Sequence, residues 1–236
     1  MAFATRTRGD RTVALLRAGV VGGIGVAVIS LLLGALRPGF DFRRHANSQL
    51  VLGDYGWIQT IDFIVFGLLL MACAVGMAQV VRPHRSGRVA AIGVFLYGLC
   101  AGVIVGFNPT DPAYGFPPGT PERYAGLDKI STSAHIHGAA GMIGFLAMTV
   151  ACFALARYFA VTGTPRWAVG SAVMGLSVVA VCGYLAANAS AAGTRFNFLP
   201  TWVVGTALWL FVPAVCVRLI AVARAAVTEP VGAAAR

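Results

Sequence analysis

The stretch Ile58–Val81 reads IQTIDFIVFGLLLMACAVGMAQVV, an apolar run broken by one acid and by no Lys, Arg or Pro. A helix needs about 20 mainly apolar residues to cross a hydrocarbon core ~30 Å thick. The run also lacks the apolar/polar alternation of a membrane β-strand, so it is predicted to be a transmembrane helix. Working outward, five further runs qualify: Val13–Ala35, Val89–Phe107, Gly138–Ala160, Ala168–Ala187 and Thr201–Ala223. The predicted class is all-α, a polytopic integral membrane bundle of six transmembrane helices. Composition agrees, because the chain is 58% hydrophobic and 11% charged, whereas soluble domains carry about 25% charged residues.

The net charge of +10 invites a nucleic-acid reading, but its distribution has a membrane explanation. With both termini cytoplasmic, the inner segments hold Arg6, Arg8, Arg11, Arg17, Arg82, Arg85, Arg88, Arg157, Arg166, Arg218, Arg224 and Arg236. The outer segments hold only Arg37, Arg43, Arg44, Arg123, Lys129 and Arg195. Basic residues are retained on the cytoplasmic side, so both termini are expected there and no nucleic acid is needed. No linker or composition shift divides residues 1–236, which are read as one domain with short cytoplasmic tails at 1–12 and 224–236. The first apolar run is longer than the ~7–15 residues of a signal-peptide core and is read as retained. A high Arg, Ala, Gly and Val content suggests a GC-rich bacterial genome, hence a multi-pass protein of the bacterial inner membrane.

Cys73, Cys100, Cys152, Cys182 and Cys216 all fall within helices. They form neither a loop disulfide framework nor a closely spaced metal motif, and read as small apolar packing residues. Gly98, Gly102 and Gly106, and Gly19 and Gly23, recur every fourth residue, a pattern that lets helix backbones approach closely in lipid. Packing within the bundle is the first reading of these stripes; a homo-oligomer interface is the second.

The polar chemistry collects in the three outer connections. The second of these contains DPAYGFPPGTP (Asp111–Pro121), whose prolines and glycines preclude helix or central strand and predict a series of turns acting as a lid. Tyr114, Phe116 and Tyr124 in it would alternatively anchor the loop at the lipid interface.

Three motifs in order carry a resemblance across the whole chain. His45, Ser48, Leu50, Leu52 and Gly53 precede Gly56, Trp57 and Gln59; Asp111, Pro112, Gly115, Pro117, Pro118 and Gly119 follow; then comes His135. In these the chain resembles the actinobacterial branch of a family of multi-helix membrane proteins catalogued as domain of unknown function 998. The resemblance implies six helices and a membrane location and brings no agreed activity. The chain departs from the pattern at Asp62, where a neutral residue such as Asn or Ala is expected, and at the second histidine, His137.

Gln59, Asp62, Phe63 and Phe66 lie at i, i+3, i+4 and i+7, sharing one helix face. An acid ~9 Å below the helix start is costly in a membrane and usually faces the bundle or a wet cavity. Asp62 is therefore a candidate catalytic acid or base, the alternative being a structural tie to Gln59 or Arg195. His135 is the second catalytic candidate, the alternative being a cap on the fourth helix. His135 and His137 would diverge by about 200° on a helix, so they share an ion only where the backbone is not yet helical. Together with His45 and an acid such as Asp111 or Asp54 they would suit zinc, a possible cofactor. Tyr184, Asn188 and Arg195 add polar groups at the same outer face, and Arg195 would suit a phosphate or carboxylate. His45, Ser48, Asp54, Trp57, Gln59, Phe63, Asp111, His137, Tyr184, Asn188 and Arg195 form the expected binding set.

The expected function is capture of an amphipathic molecule, a lipid or isoprenoid, at this outer site. An intramembrane enzyme using Asp62 or a His-bound metal for hydrolysis or cyclisation is the alternative. A small transporter is less favoured, because no broken helix or charged path crosses the bilayer.

Overall fold

The structure is a computed structural model that describes residues 2–122, 129–189 and 197–228, with side chains over 9–122, 129–187 and 197–225. Six helices account for nearly all of it. They are α1 (Ala2–Leu36), α2 (Gly56–Val81), α3 (Arg85–Phe107), α4 (Thr132–Val161), α5 (Pro165–Ala189) and α6 (Leu199–Thr228). Each is long and apolar enough to cross a membrane, so the chain is a multi-pass membrane protein, as the hydropathy predicts. In α3 an α-helical part, Arg85–Tyr97, passes into a π-helical stretch, Gly98–Ile104, and a last α turn, Val105–Phe107.

The helices form an open ring. α1 packs along α2 and α6, α3 lies between α2 and α4, and α5 follows α4 but only lightly touches α6. Residues of α5 facing the interior thus meet a gap, and α5 is the least buried of the six. At one end the helices are joined by the tight turns at Pro83 and Gly163. The opposite end carries the three long connections.

The glycine stripes are spent inside this chain. A Cβ on Gly98 or Gly102 would stand within 3 Å of the Gly67 backbone on α2, and one on Gly106 within 3 Å of Ile64. A Cβ on Gly19 would meet the Cys73 and Cys216 sulfurs, and one on Gly23 would meet Trp209 and Pro213 of α6. The π-helical turn therefore lies backbone to backbone against α2, where no side chain fits. All five cysteines are free thiols, and all but the half-buried Cys182 are buried.

α4 begins earlier than the hydropathy boundary at Gly138. Ser131 is its N-cap, the side-chain oxygen accepting from the Ala134 N–H at 3.1 Å, a bond that satisfies one of the otherwise unpaired first-turn amides. Ser131 itself is held by Asp111, whose two carboxylate oxygens accept from its N–H and Oγ at 2.7 and 2.6 Å. His135 and His137 consequently sit on helix rather than loop.

Replacing Gly102 by Val should overpack the contact with Gly67 and lower stability by about 1–3 kcal/mol. The thermal midpoint of the purified protein in detergent checks this. Gly183→Val, at a position where a Cβ meets nothing, should leave the midpoint nearly unchanged.

Candidate functional site

The described parts of the first and second long connections fold, with Phe198 and the start of α6, into a cap, and side chains hold its peptide groups. Arg37, at the end of α1, donates to the carbonyls of Leu50 (2.8 Å) and Leu52 (2.5 Å) and lies over the Phe116 ring at 5.0 Å. Desolvation by burial holds its pKa below the usual arginine value, opposed by the charge of Asp54. Gln49 accepts from the Ala46 N–H and donates to the Ala113 carbonyl, joining the first connection to the second. The Trp202 indole donates to the His45 carbonyl and the Phe198 N–H to the Arg43 carbonyl, which ties in the start of α6. Phe40 stacks edge-on against Phe42, Phe116 and Trp202 beneath these bonds. The turn run Asp111–Pro121 thus folds as predicted, with Tyr114 and Gly115 at positive φ and a cis Phe116–Pro117 bond. Phe116 is fully buried, so it fills the cap rather than anchoring in lipid.

His45 is the keystone of the cap and is 2% exposed. Its Nδ1 accepts from the Asp41 N–H at 2.8 Å, so that nitrogen bears no proton. Its Nε2 must then be the protonated one, donating to the Tyr114 carbonyl at 2.9 Å. Both ring nitrogens are committed to backbone, and neither has a lone pair for a metal.

Beneath the cap lies a cavity of about 260 Å³ bounded by α2, α3, α4, α5 and α6. Ala46, Asn47 and Ser48 roof it; Phe63, Phe66 and Phe145 form walls; Tyr97 and Trp209 lie deepest. From Thr201 to Trp209 on α6 it extends about 12 Å at ~1.5 Å per residue. Gly138 and Gly205 also line it, and a Cβ on either would meet nothing. These glycines, unlike the packing stripes, border open space. Besides Asn47, Ser48 and Thr201, polar groups interrupt the apolar lining at the floor and at the rim. At the floor lie the Tyr97 hydroxyl and the Trp209 indole. At the rim His137 presents an imidazole whose Nδ1 lies 2.6 Å from the Asn108 carbonyl. A carbonyl can only accept, so Nδ1 carries the proton and Nε2 is a bare acceptor.

The expected site residues are distributed unevenly about this cavity. Ser48, Phe63 and His137 line it, and His45 supports its roof. The shared face of α2 divides. Phe63 and Phe66 point to the cavity, whereas Gln59 and Asp62 are not among its lining residues and form a buried ladder with Ser30 of α1. Gln59 donates to Ser30 Oγ at 3.1 Å and to Asp62 Oδ2 at 3.2 Å, which ties α1 to α2. His135 is exposed, its Nδ1 beside the Ser131 carbonyl at 3.0 Å. Asp111 caps through Ser131, Tyr184 donates to the Asn197 carbonyl at 2.8 Å, and Asp54 and Trp57 are exposed. Arg195 and Tyr124 lie outside the described residues, as does the side chain of Asn188. Among the described residues no three His, Cys, Asp or Glu side chains come together as a metal centre requires. Sequence reasoning passed over Asn47, Tyr97, Gly205 and Trp209. Their signal was present: Trp202, Gly205 and Trp209 at i, i+3 and i+7 share one face, and Tyr97 and Trp209 carry polar tips at mid-span.

Burial also lowers the His45 pKa below its usual 6.5, although the Tyr114 carbonyl partly offsets this. Unfolding therefore takes up a proton at mildly acidic pH, so stability held above pH 6.5 should fall as pH drops through and below it. Thermal midpoints measured between pH 8 and pH 5 should show that decline. His45→Leu should remove its own share of the decline and, by stranding the Asp41 N–H and Tyr114 carbonyl, cost about 1–3 kcal/mol at pH 8.

No curated protein and no solved structure gives a match to this chain. The family described as "Protein of unknown function (DUF998)" matches residues 20–225, a range that takes in all the cap motifs and every residue lining the cavity. The chain belongs to that family.

Proposed function

We propose that the protein binds an amphipathic molecule, a lipid or isoprenoid-like compound, in the cavity beneath the cap. The observation that carries this reading is the cavity itself: an apolar chamber inside a membrane protein, polar at the rim, flanked by two helices, α5 and α6, that scarcely touch. Small-molecule sites are typically of this kind, mostly apolar with a few placed polar groups. Glycines at positions where side chains would fit keep it open. The weak α5–α6 contact offers an apolar chain a way in from the bilayer.

In this reading the capped end faces the extracytoplasmic side and both termini the cytoplasm, as the arginine distribution favours. In a bacterial cell this is the inner membrane, with the cavity reached from the outer leaflet. The cap shields the rim from water on that side. An enzymatic role for Asp62 is the weaker reading, because the carboxylate is engaged by Gln59 on the α1 side and does not line the cavity. The His-metal variant is weaker still, with His45 fully engaged by backbone and His135 on the surface.

Gly205→Leu tests the reading. A Leu there enters open space, removes a helix-interior glycine and should keep or raise the thermal midpoint. It should also abolish uptake of a lipid-like fluorophore, read as Trp202 and Trp209 quenching in nanodiscs. Undiminished uptake by a folded Gly205→Leu protein would contradict the proposal.

A further inference from the structure

At the end opposite the cap, and independent of the cavity, we infer that Arg218 of α6 holds the phosphate of an anionic phospholipid. Arg218 lies within the apolar span Leu199–Ala225, about 10 Å short of its end at ~1.5 Å per residue. A charged side chain at such a depth is costly and is usually paired. Here the protein supplies no partner. Arg218 is half-buried, and no hydrogen bond or carboxylate reaches its guanidinium among the described residues. Its Nε is buried against the protein, whereas the two Nη groups are unbonded but not closed off, and form the accessible edge of the guanidinium. Such a planar edge donates two N–H···O bonds to a single phosphate.

The surroundings favour an anion that carries its own hydrocarbon. Leu155 of α4 and Val215 of α6 line one small void in the bundle, and Tyr158 and Arg218 stand one turn beyond them toward the uncapped end. The Arg218 charge acts on the Tyr158 phenol, whose ring meets His84 edge-on at 5.5 Å. α5 scarcely touches α6, so the bundle is open to the bilayer beside this helix. The helix ends next to the tight turns add Arg82, Arg85, Arg88 and Arg166, all exposed. Among the described residues the acid at this end is the exposed Asp10 of α1. A soluble anion would have to shed its water to enter the apolar span. A phospholipid arrives with its chains already in hydrocarbon, and its phosphate exchanges hydration for the guanidinium, as headgroups do in basic pockets between membrane helices.

Thermal midpoints of the unaltered protein in nanodiscs of phosphatidylcholine, and of phosphatidylcholine mixed with phosphatidylglycerol, test this. Phosphatidylglycerol should raise the midpoint by about 2–4 °C, the effect of roughly one contact between an arginine and an anionic headgroup. Arg218→Gln should lose at least about half of that rise. Arg85→Gln, which removes the same charge from an exposed position at the same end, should keep most of it. Arg218→Lys keeps the charge without the planar fork and should also lose at least about half of the rise, so the test holds even if the Gln variant does not fold. Equal losses from the Arg218 and Arg85 variants would mean diffuse surface attraction and overturn the site. A full rise in a folded Arg218 variant, or no rise in the unaltered protein, would overturn it as well. The same rise on adding inorganic phosphate to phosphatidylcholine nanodiscs would assign the site to a soluble anion and overturn the phospholipid.

Discussion

Irregular backbone at the end of a membrane bundle must find partners for its own peptide groups, because water is scarce there and hydrocarbon offers none. The rest of this structure depends on how that constraint is met. Arg37, His45, Gln49 and Trp202 each bond to backbone carbonyls of the cap, and the first connection, the second connection and the start of α6 become one body. His45 contributes most directly, since a single neutral imidazole takes one proton from the Asp41 amide and gives one to the Tyr114 carbonyl. Without the cap, the apolar chamber below would open to water and its walls would collapse together.

This gives the family's three motifs a structural meaning. His45, Ser48, Leu50 and Gly53 belong to the first connection, and Asp111 to Gly119 to the second. Gly53 and Gly115 occupy positive φ, conformations that a side chain disfavours. Asp111 reaches across to fix Ser131 and so sets where α4 begins. Those motifs build a roof. The residues that line the cavity come largely from elsewhere: Asn47 between two motif residues, His137 just past the last motif, and Tyr97, Gly205 and Trp209 from the helices.

The fold was legible because hydrophobic length is a strong signal in lipid; all six runs became helices. The starts of α1, at Ala2 rather than Val13, and of α4, where Ser131 caps the helix, lie in polar sequence that apolar counting does not register. The site was legible only in part. Periodicity grouped Gln59, Asp62, Phe63 and Phe66 on one face, but such a face is broad and here meets two neighbours, α1 on the Asp62 side and the cavity on the Phe63 side. Composition likewise marked His45 as a ligand candidate, since a histidine near acids looks the same whether it binds metal or backbone. Which nitrogen meets which carbonyl is tertiary information. Glycines carried the same ambiguity: Gly102 and Gly205 are alike in sequence, yet one admits a neighbouring backbone and the other borders a void.

The most direct test of the account is an experimental density map of the protein in lipid nanodiscs, read at the gap between α5 and α6. The account predicts an elongated non-protein density running from beside Asn47 and His137 down to Tyr97 and Trp209, under an ordered cap with His45 bridging Asp41 and Tyr114. A map in which α5 closes onto α6, bringing Val181 against Gly205 and leaving no chamber, would contradict it.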